Sequence, residues 1–161
     1  MRKVLKNLFD KNYLASTLKN KQVIAGPYFF LEELDKIPDR ALLLLSKQLD
    51  SYGWRLNSAT GIRENEKGEK LKFILLAKNQ EDQDKNAEVD IVLEHIVDSA
   101  REVGILIELD RVDASTYAAK LVNKSYDIVL AGQDLGYNLD AFAFWHSSQT
   151  GPETVNLSNF A

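Results

Sequence analysis

The chain has 161 residues, of which 45% are hydrophobic and 27% charged, with 24 acidic against 20 basic residues and a formal net charge of −4. This is the composition of a folded globule long enough to bury one core, not of a disordered segment, and with its charges interspersed it offers no basic stripe to a nucleic acid. The sequence has no cysteine, which excludes disulfides, thiolate metal sites and cysteine nucleophiles together.

Val4, Leu5, Leu8 and Phe9 lie at helical spacing, so residues 2–9 read as a short helix. The basic start resembles the beginning of an export signal, but Lys6, Asn7, Asp10, Lys11 and Asn12 interrupt any apolar stretch. The chain is therefore expected to be either cytoplasmic or part of a longer exported protein. Asp10 is placed to cap a second helix over 11–19, with Tyr13, Leu14 and Leu18 on one face. Residues 20–38 read as irregular, with Gly26, Pro27 and Pro38 as punctuation and an apolar patch at Tyr28, Phe29, Phe30 and Leu31. Asp39 is placed to cap a helix running from Arg40 to about Tyr52, with Gly53 as its stop. The apolar run 41–45 inside it is far too short to span a membrane.

Residues 55–70 are polar, with turn chemistry at 65–68. Residues 71–77 are apolar at almost every position, the pattern of a strand covered on both faces. A charged loop at 79–85 leads to the clearest helix, in which Ala87, Ile91, Leu93, Ile96, Val97, Ala100 and Val103 recur at helical spacing up to Gly104. Residues 105–109 form a second strand. Asp113 caps a helix bearing Tyr117, Ala118, Leu121 and Val122, and residues 126–131 form a third strand. A loop over 132–140, a short aromatic helix with Phe142, Phe144 and Trp145, and an irregular tail complete the chain. The strand–helix order is that of two consecutive β-α-β units, which predicts a single α/β domain over 1–161 built on a mainly parallel sheet with helices on both faces.

Open parallel sheets place ligands beyond the carboxyl ends of their strands. That selects the loops at 78–85, 110–113 and 132–140. The last holds Gly132, Gln133, Asp134, Tyr137, Asn138 and Asp140, whose amide, carboxylate and phenol groups suit a ligand with amine, amide or hydroxyl groups. The competing reading is a polar turn that closes a strand. Phe142, Phe144 and Trp145 read as core, with stacking in a cleft as the alternative. Chemistry of the enzymatic kind has thin support. His95 reads as solvated on an exposed helix face. His146 beside Ser147 and Ser148 is not a triad signature, and HExxH, Walker and GxSxG patterns are missing. Asp82, Asp84 and the 64–69 turn read as solvated charge. A small hydrolase-like enzyme using Ser147 or Ser148 with a histidine, and a stand-alone interaction domain, are the rival readings.

Several segments, in this order and over nearly the whole chain, resemble family 5 extracytoplasmic solute-binding proteins, the oligopeptide and dipeptide binders of ABC transporters. They are the run from Met1 through Phe9 to Lys11; the helix over 39–52 with its Gly53 and Trp54 close; Lys67-Gly68-Glu69-Lys70-Leu71-Lys72-Phe73; Val103-Gly104-Ile105-Leu106-Ile107-Glu108; and Tyr126-Asp127-Ile128-Val129-Leu130-Ala131-Gly132. The resemblance implies a two-lobe fold of the periplasmic-binding-protein type, of which this chain is most of one lobe. It implies a peptide or related small solute as ligand, a second lobe and a membrane permease as partners, an extracytoplasmic setting, and no cofactor, resident metal or catalysis. Peptide-binding members carry Trp and then an amine-pairing Asp after the last of these segments, where this chain has Gln133 and Gly136. The resemblance therefore leaves peptide, sugar and metal chelate open as solutes.

Overall fold

The computed structural model describes residues 11–18, 42–132, 142 and 146–149. The expected helix over 2–9, the patch at 28–31 and the tail after 149 lie outside the described residues. The elements in order are α1 (Lys11–Thr17), α2 (Leu42–Ser51), β1 (Arg55–Leu56), β2 (Arg63–Glu64), β3 (Lys72–Lys78), α3 (Gln83–Glu102), β4 (Leu106–Val112), α4 (Ala114–Val122), β5 (Ile128–Val129) and a 3-10 turn, Ser147–Gln149. The chain divides into two compact units, Met1–Lys72 with Gln80–Ile107, and Phe73–Asn79 with Glu108–Ala161.

In the first unit, α2 buries Leu45 and Leu49, and α3 buries Leu93, Ile96, Ser99 and Ala100. These spacings of three and four residues keep one stripe of each helix in the core. Ala87, expected in the α3 stripe, is exposed. Asp82 begins α3, its carboxylate accepting from the backbone N–H of Asp84 (2.8 Å) and Lys85 (3.2 Å). Both α2 and α3 end in the same two-bond motif. Trp54 N–H donates to the Leu49 carbonyl (3.1 Å) and Gly53 N–H to Asp50 (3.1 Å), with Gly53 at φ +84°. Ile105 N–H donates to Ala100 (2.9 Å) and Gly104 N–H to Arg101 (2.9 Å), with Gly104 at φ +81°. Each glycine supplies the left-handed residue that lets orphan carbonyls of the last turn be satisfied.

The polar stretch 55–70 contains a small antiparallel ribbon, with Arg55 opposite Glu64 and Leu56 opposite Arg63. The Asn65 side-chain oxygen accepts from Lys67 and Glu69 N–H (3.0 Å each) and closes the following turn. Arg63 is 2% exposed. Its Nε donates to the Val103 carbonyl (2.7 Å), Nη1 to Asp50 Oδ1 (2.6 Å) and the Trp54 carbonyl (2.7 Å), and Nη2 to Ser46 Oγ (2.7 Å).

The second unit carries the three-stranded sheet, in the order β4-β3-β5. β3 and β5 pair in parallel, Leu75 opposite Ile128 and Leu76 opposite Val129. β4 also runs parallel to β3, since Leu106 N–H meets the Leu71 carbonyl (3.0 Å) and, further along both strands, Asn79 N–H meets Val112 (2.9 Å). The parallel β-α-β reading is thus correct. Consecutive burial, the mark of cover on both faces, extends over Leu75, Leu76 and Ala77, while Ile74 is 37% exposed. β5 is a two-residue ladder rather than six residues. Its ends are closed by side chains: Asp127 Oδ2 accepts Ile74 N–H (2.8 Å), and the Tyr117 hydroxyl donates to the Leu130 carbonyl (2.9 Å). On α4, Ala118 and Val122 are exposed, and Tyr117 and Leu121 are half-buried.

Candidate functional site

The end of the sheet that matters is the one where β3, β4 and β5 finish. A parallel arrangement aims all three carboxyl ends the same way, because every strand enters from the opposite edge. Asn79 N–H ties the end of β3 to the last carbonyl of β4 (2.9 Å). Lys120 on α4 pairs with Asp110 on β4, both side chains about a third or less exposed.

Asp113 follows β4 and caps α4. Its Oδ1 accepts from the Ser115 hydroxyl (2.6 Å), Ser115 N–H (2.9 Å) and Thr116 N–H (3.0 Å), and its Oδ2 from the Thr116 hydroxyl (2.6 Å). The Ser115 hydroxyl first, and then that of Thr116, hold this carboxyl far below the usual carboxylate range. Both oxygens are thereby committed to helix capping. Asp82, in the loop after β3, is likewise a helix cap.

At the end of β5, Leu130 is held from two sides. Its N–H donates to the Leu76 carbonyl (2.9 Å), and its own carbonyl accepts the Tyr117 hydroxyl (2.9 Å). Burial, with a smaller contribution from Tyr126, raises the pKa of Tyr117; burial raises that of Tyr126. Ala131 and Gly132 then emerge exposed. Gly132 has open space where a Cβ would stand and no positive φ, so neither packing nor backbone conformation requires a glycine there. Gln133, Asp134, Tyr137, Asn138 and Asp140 lie outside the described residues, as do Phe144 and Trp145. Tyr117 and Asp127, which shape both ends of β5, were not singled out as site residues. Tyr126 and Asp127 stood in the sequence as a motif, but the carboxylate's use as a substitute strand partner needed the coordinates.

His95 is half-buried, with its ring stacked on Tyr13 at 5.0 Å between centroids and 25° between planes, rather than free in solvent. Tyr13, His95, Ile91, Glu94, Asp98, Ser99 and Glu102 line an open depression of about 310 Å³ in the first unit. His146 is exposed and stacks on Phe142 at 4.3 Å. Its Nδ1 lies 2.9 Å from Ser148 Oγ and accepts Ser148 N–H at 3.2 Å. This contact spans two residues within a single turn, with the backbone N–H sharing the same ring nitrogen. That is turn closure by a side chain. Among the described residues, no group of three or more His, Asp or Glu side chains is disposed to hold a metal, and no helix is long and apolar enough to cross a membrane.

No protein-family model matches the chain, and no curated protein matches it in sequence. Solved structures do. The chain is similar to the oligopeptide-binding protein AppA of Bacillus subtilis, determined with a nonapeptide, at 19% identity and TM-score 0.79 over 99% of this chain and 32% of that one. It is similar to NikA of Brucella suis, determined with Fe(III)-EDTA, at 20% identity and TM-score 0.73 over 96% and 31%. It is also similar to a periplasmic oligopeptide-binding protein of Thermotoga maritima, determined with mannohexaose, at 16% identity and TM-score 0.77 over 99% and 32%. The chain therefore spans about a third of the length of these proteins. The fold is the one its sequence segments resemble: a portion of a periplasmic-binding-protein-like two-lobe architecture.

Proposed function

We propose that this chain is most of one lobe of an ABC-transporter substrate-binding protein, which captures a peptide or related small solute outside the cytoplasm. The observation that carries the reading is the parallel sheet β4-β3-β5, whose last strand is followed in sequence by residues 132–140, within a fold shared with solute-binding proteins over almost the full chain. Gly132 supports it, because a glycine without a structural requirement at a strand's carboxyl end leaves room for another backbone to come close. Gln133, Asp134, Tyr137, Asn138 and Asp140 are the side chains assigned to the solute. A second lobe of the same protein completes the cleft, and a membrane permease receives the solute. Solute contacts made to both lobes favour the closed arrangement, so closure is a population shift driven by differential contact.

The three neighbouring proteins were determined with a peptide, a metal chelate and an oligosaccharide. Their common chemistry is a polar solute rich in hydrogen-bonding groups, which the amide, carboxylate and phenol groups of residues 133–140 suit. A hydrolase reading has one contact in its favour, that between His146 and Ser148, and its local, exposed geometry weighs against it.

The test is mass spectrometry of small molecules released on denaturing a purified protein that carries both lobes, followed by calorimetric titration with the released species. The expected result is a peptide, sugar or chelate bound intact, with the isolated chain binding it about 100-fold more weakly, a difference of about 2.7 kcal/mol. Equal affinity of the isolated chain, or cleavage of the solute, would overturn the proposal.

A further inference from the structure

We propose that His95 is a pH-sensitive clasp between α1 and α3, its imidazolium form holding Tyr13, and with it α1, more firmly than the neutral ring does. Both helices belong to the first unit, so the clasp stands apart from the solute reading.

Three observations carry it. First, α1 has 7 residues, far short of the roughly 12–15 that a helix needs to hold by itself in water. Its bonding, as in Leu18 N–H to the Leu14 carbonyl (3.0 Å), therefore depends on what the helix packs against. Second, Tyr13 meets His95 ring on ring, 5.0 Å between centroids and 25° between planes, with His95 half-buried and Tyr13 48% exposed. A cation within about 6 Å of a phenol centroid is attracted by the negative face of that ring, and a neutral imidazole lacks this attraction. Third, His95 stands among carboxylates. Glu94, Asp98 and Glu102 line the same open depression of about 310 Å³, and Asp98, three residues on, shares its helix face. α1 presents to it the neutral Tyr13 phenol, and none of the described side chains of residues 11–18 is charged. The carboxylates lie on α3 itself, so they favour the imidazolium whether or not α1 is in place. They put charge on the ring, and Tyr13 makes that charge matter to α1. The ring gains a partner for its charge when α1 docks, so docking and protonation favour one another. α1 is held more firmly as pH falls from about 8 to 5, where imidazole takes up its proton, and the gain is lost as pH rises.

The test is amide exchange of the full isotope-labelled chain, read by NMR as protection factors at residues 15–18, at about pH 5.5 and about pH 7.5. In the wild type, protection is expected to be about 3-fold higher at the lower pH. His95→Gln, neutral at both, is expected to lose the difference, and Tyr13→Phe, which keeps the ring face, to retain it. Unchanged protection in the wild type, or a difference that survives His95→Gln, would overturn the inference. A second measurement stays readable even where Tyr13→Leu releases α1 altogether. By reciprocity, the His95 ring protons, titrated by NMR, should have a midpoint about 0.5 pH higher in the wild type than in Tyr13→Leu, which is about the same 3-fold factor seen from the proton's side. Equal midpoints, or a lower one in the wild type, would reduce the stack to neutral packing and overturn the clasp.

Discussion

Arg63 and Asp50 form a 2.6 Å ion pair in which the cation is almost wholly buried, at 3% side-chain exposure, and the carboxylate is 41% exposed. The asymmetry matters. The guanidinium has left water, and its solvation is replaced by Asp50, Ser46 and the carbonyls of Trp54 and Val103. One side chain thus joins the end of α2, the ribbon and the end of α3.

Arg63→Lys is expected to destabilise the chain by about 2–3 kcal/mol, since an ammonium cannot reach four acceptors with the spread of a planar fork and leaves buried carbonyls unpaired. Asp50→Asn is expected to cost only about 0.5–1 kcal/mol, because its partner retains three other acceptors and the carboxylate is partly solvated. Urea unfolding of the two variants checks the ranking. Equal losses would mean that the pair, rather than the buried fork, is what stabilises this junction.

Gly104 and Lys124 occupy equivalent helix-ending positions with opposite fitness. Lys124 has φ +52°, with Ser125 N–H donating to Lys120 (3.0 Å) and Lys124 N–H to Leu121 (3.2 Å), so a lysine holds the left-handed place that glycine holds after α2 and α3. Lys124→Gly is expected to raise stability by about 0.5–1 kcal/mol. Gly104→Ala is expected to lower it by about 2–4 kcal/mol, since its Cβ would stand 2.7 Å from Leu56 Cδ1 and 2.9 Å from Arg63 Cγ at φ +81°. Thermal denaturation of both variants gives the signs directly.

The pH profile should fall on two sides for different reasons. Asp113 has its pKa lowered on folding, so its contribution is complete above the unfolded value near about 4 and is lost as pH falls through the folded value. Tyr117 and Tyr126 have theirs raised, so their contribution is complete below about pH 10 and is lost as pH climbs through the folded values. Urea midpoints against pH should show a shallower acid limb for Asp113→Asn and a shallower alkaline limb for Tyr117→Phe. An acid limb unchanged in Asp113→Asn would assign the acid sensitivity to other carboxylates.

Gly132→Ala separates folding from binding. With open space at Cβ and no positive φ, the change is expected to move stability by less than about 0.5 kcal/mol. In a protein carrying both lobes, it should weaken solute binding about 10-fold if another backbone packs against this strand end. Unchanged affinity would place the solute elsewhere.

What the sequence determined by itself was local. Asp113 as a cap, Gly53 and Gly104 as helix stops and the α3 stripe through Leu93, Ile96 and Ala100 all depend on neighbours within a few residues, so spacing and side-chain chemistry declare them. The parallel sense of the sheet also followed, because strands joined by helical crossovers have little alternative. Tertiary structure alone decided the fate of Arg63, one charge in the polar stretch 55–70, on which Ser46, Asp50, Trp54 and Val103 converge from as far as 40 residues away. It also decided where β5 ends. Six apolar-rich residues show a capacity to pair, but the Asp127 carboxylate takes the Ile74 N–H and the Tyr117 hydroxyl takes the Leu130 carbonyl, and that choice belongs to partners 53 and 13 residues distant.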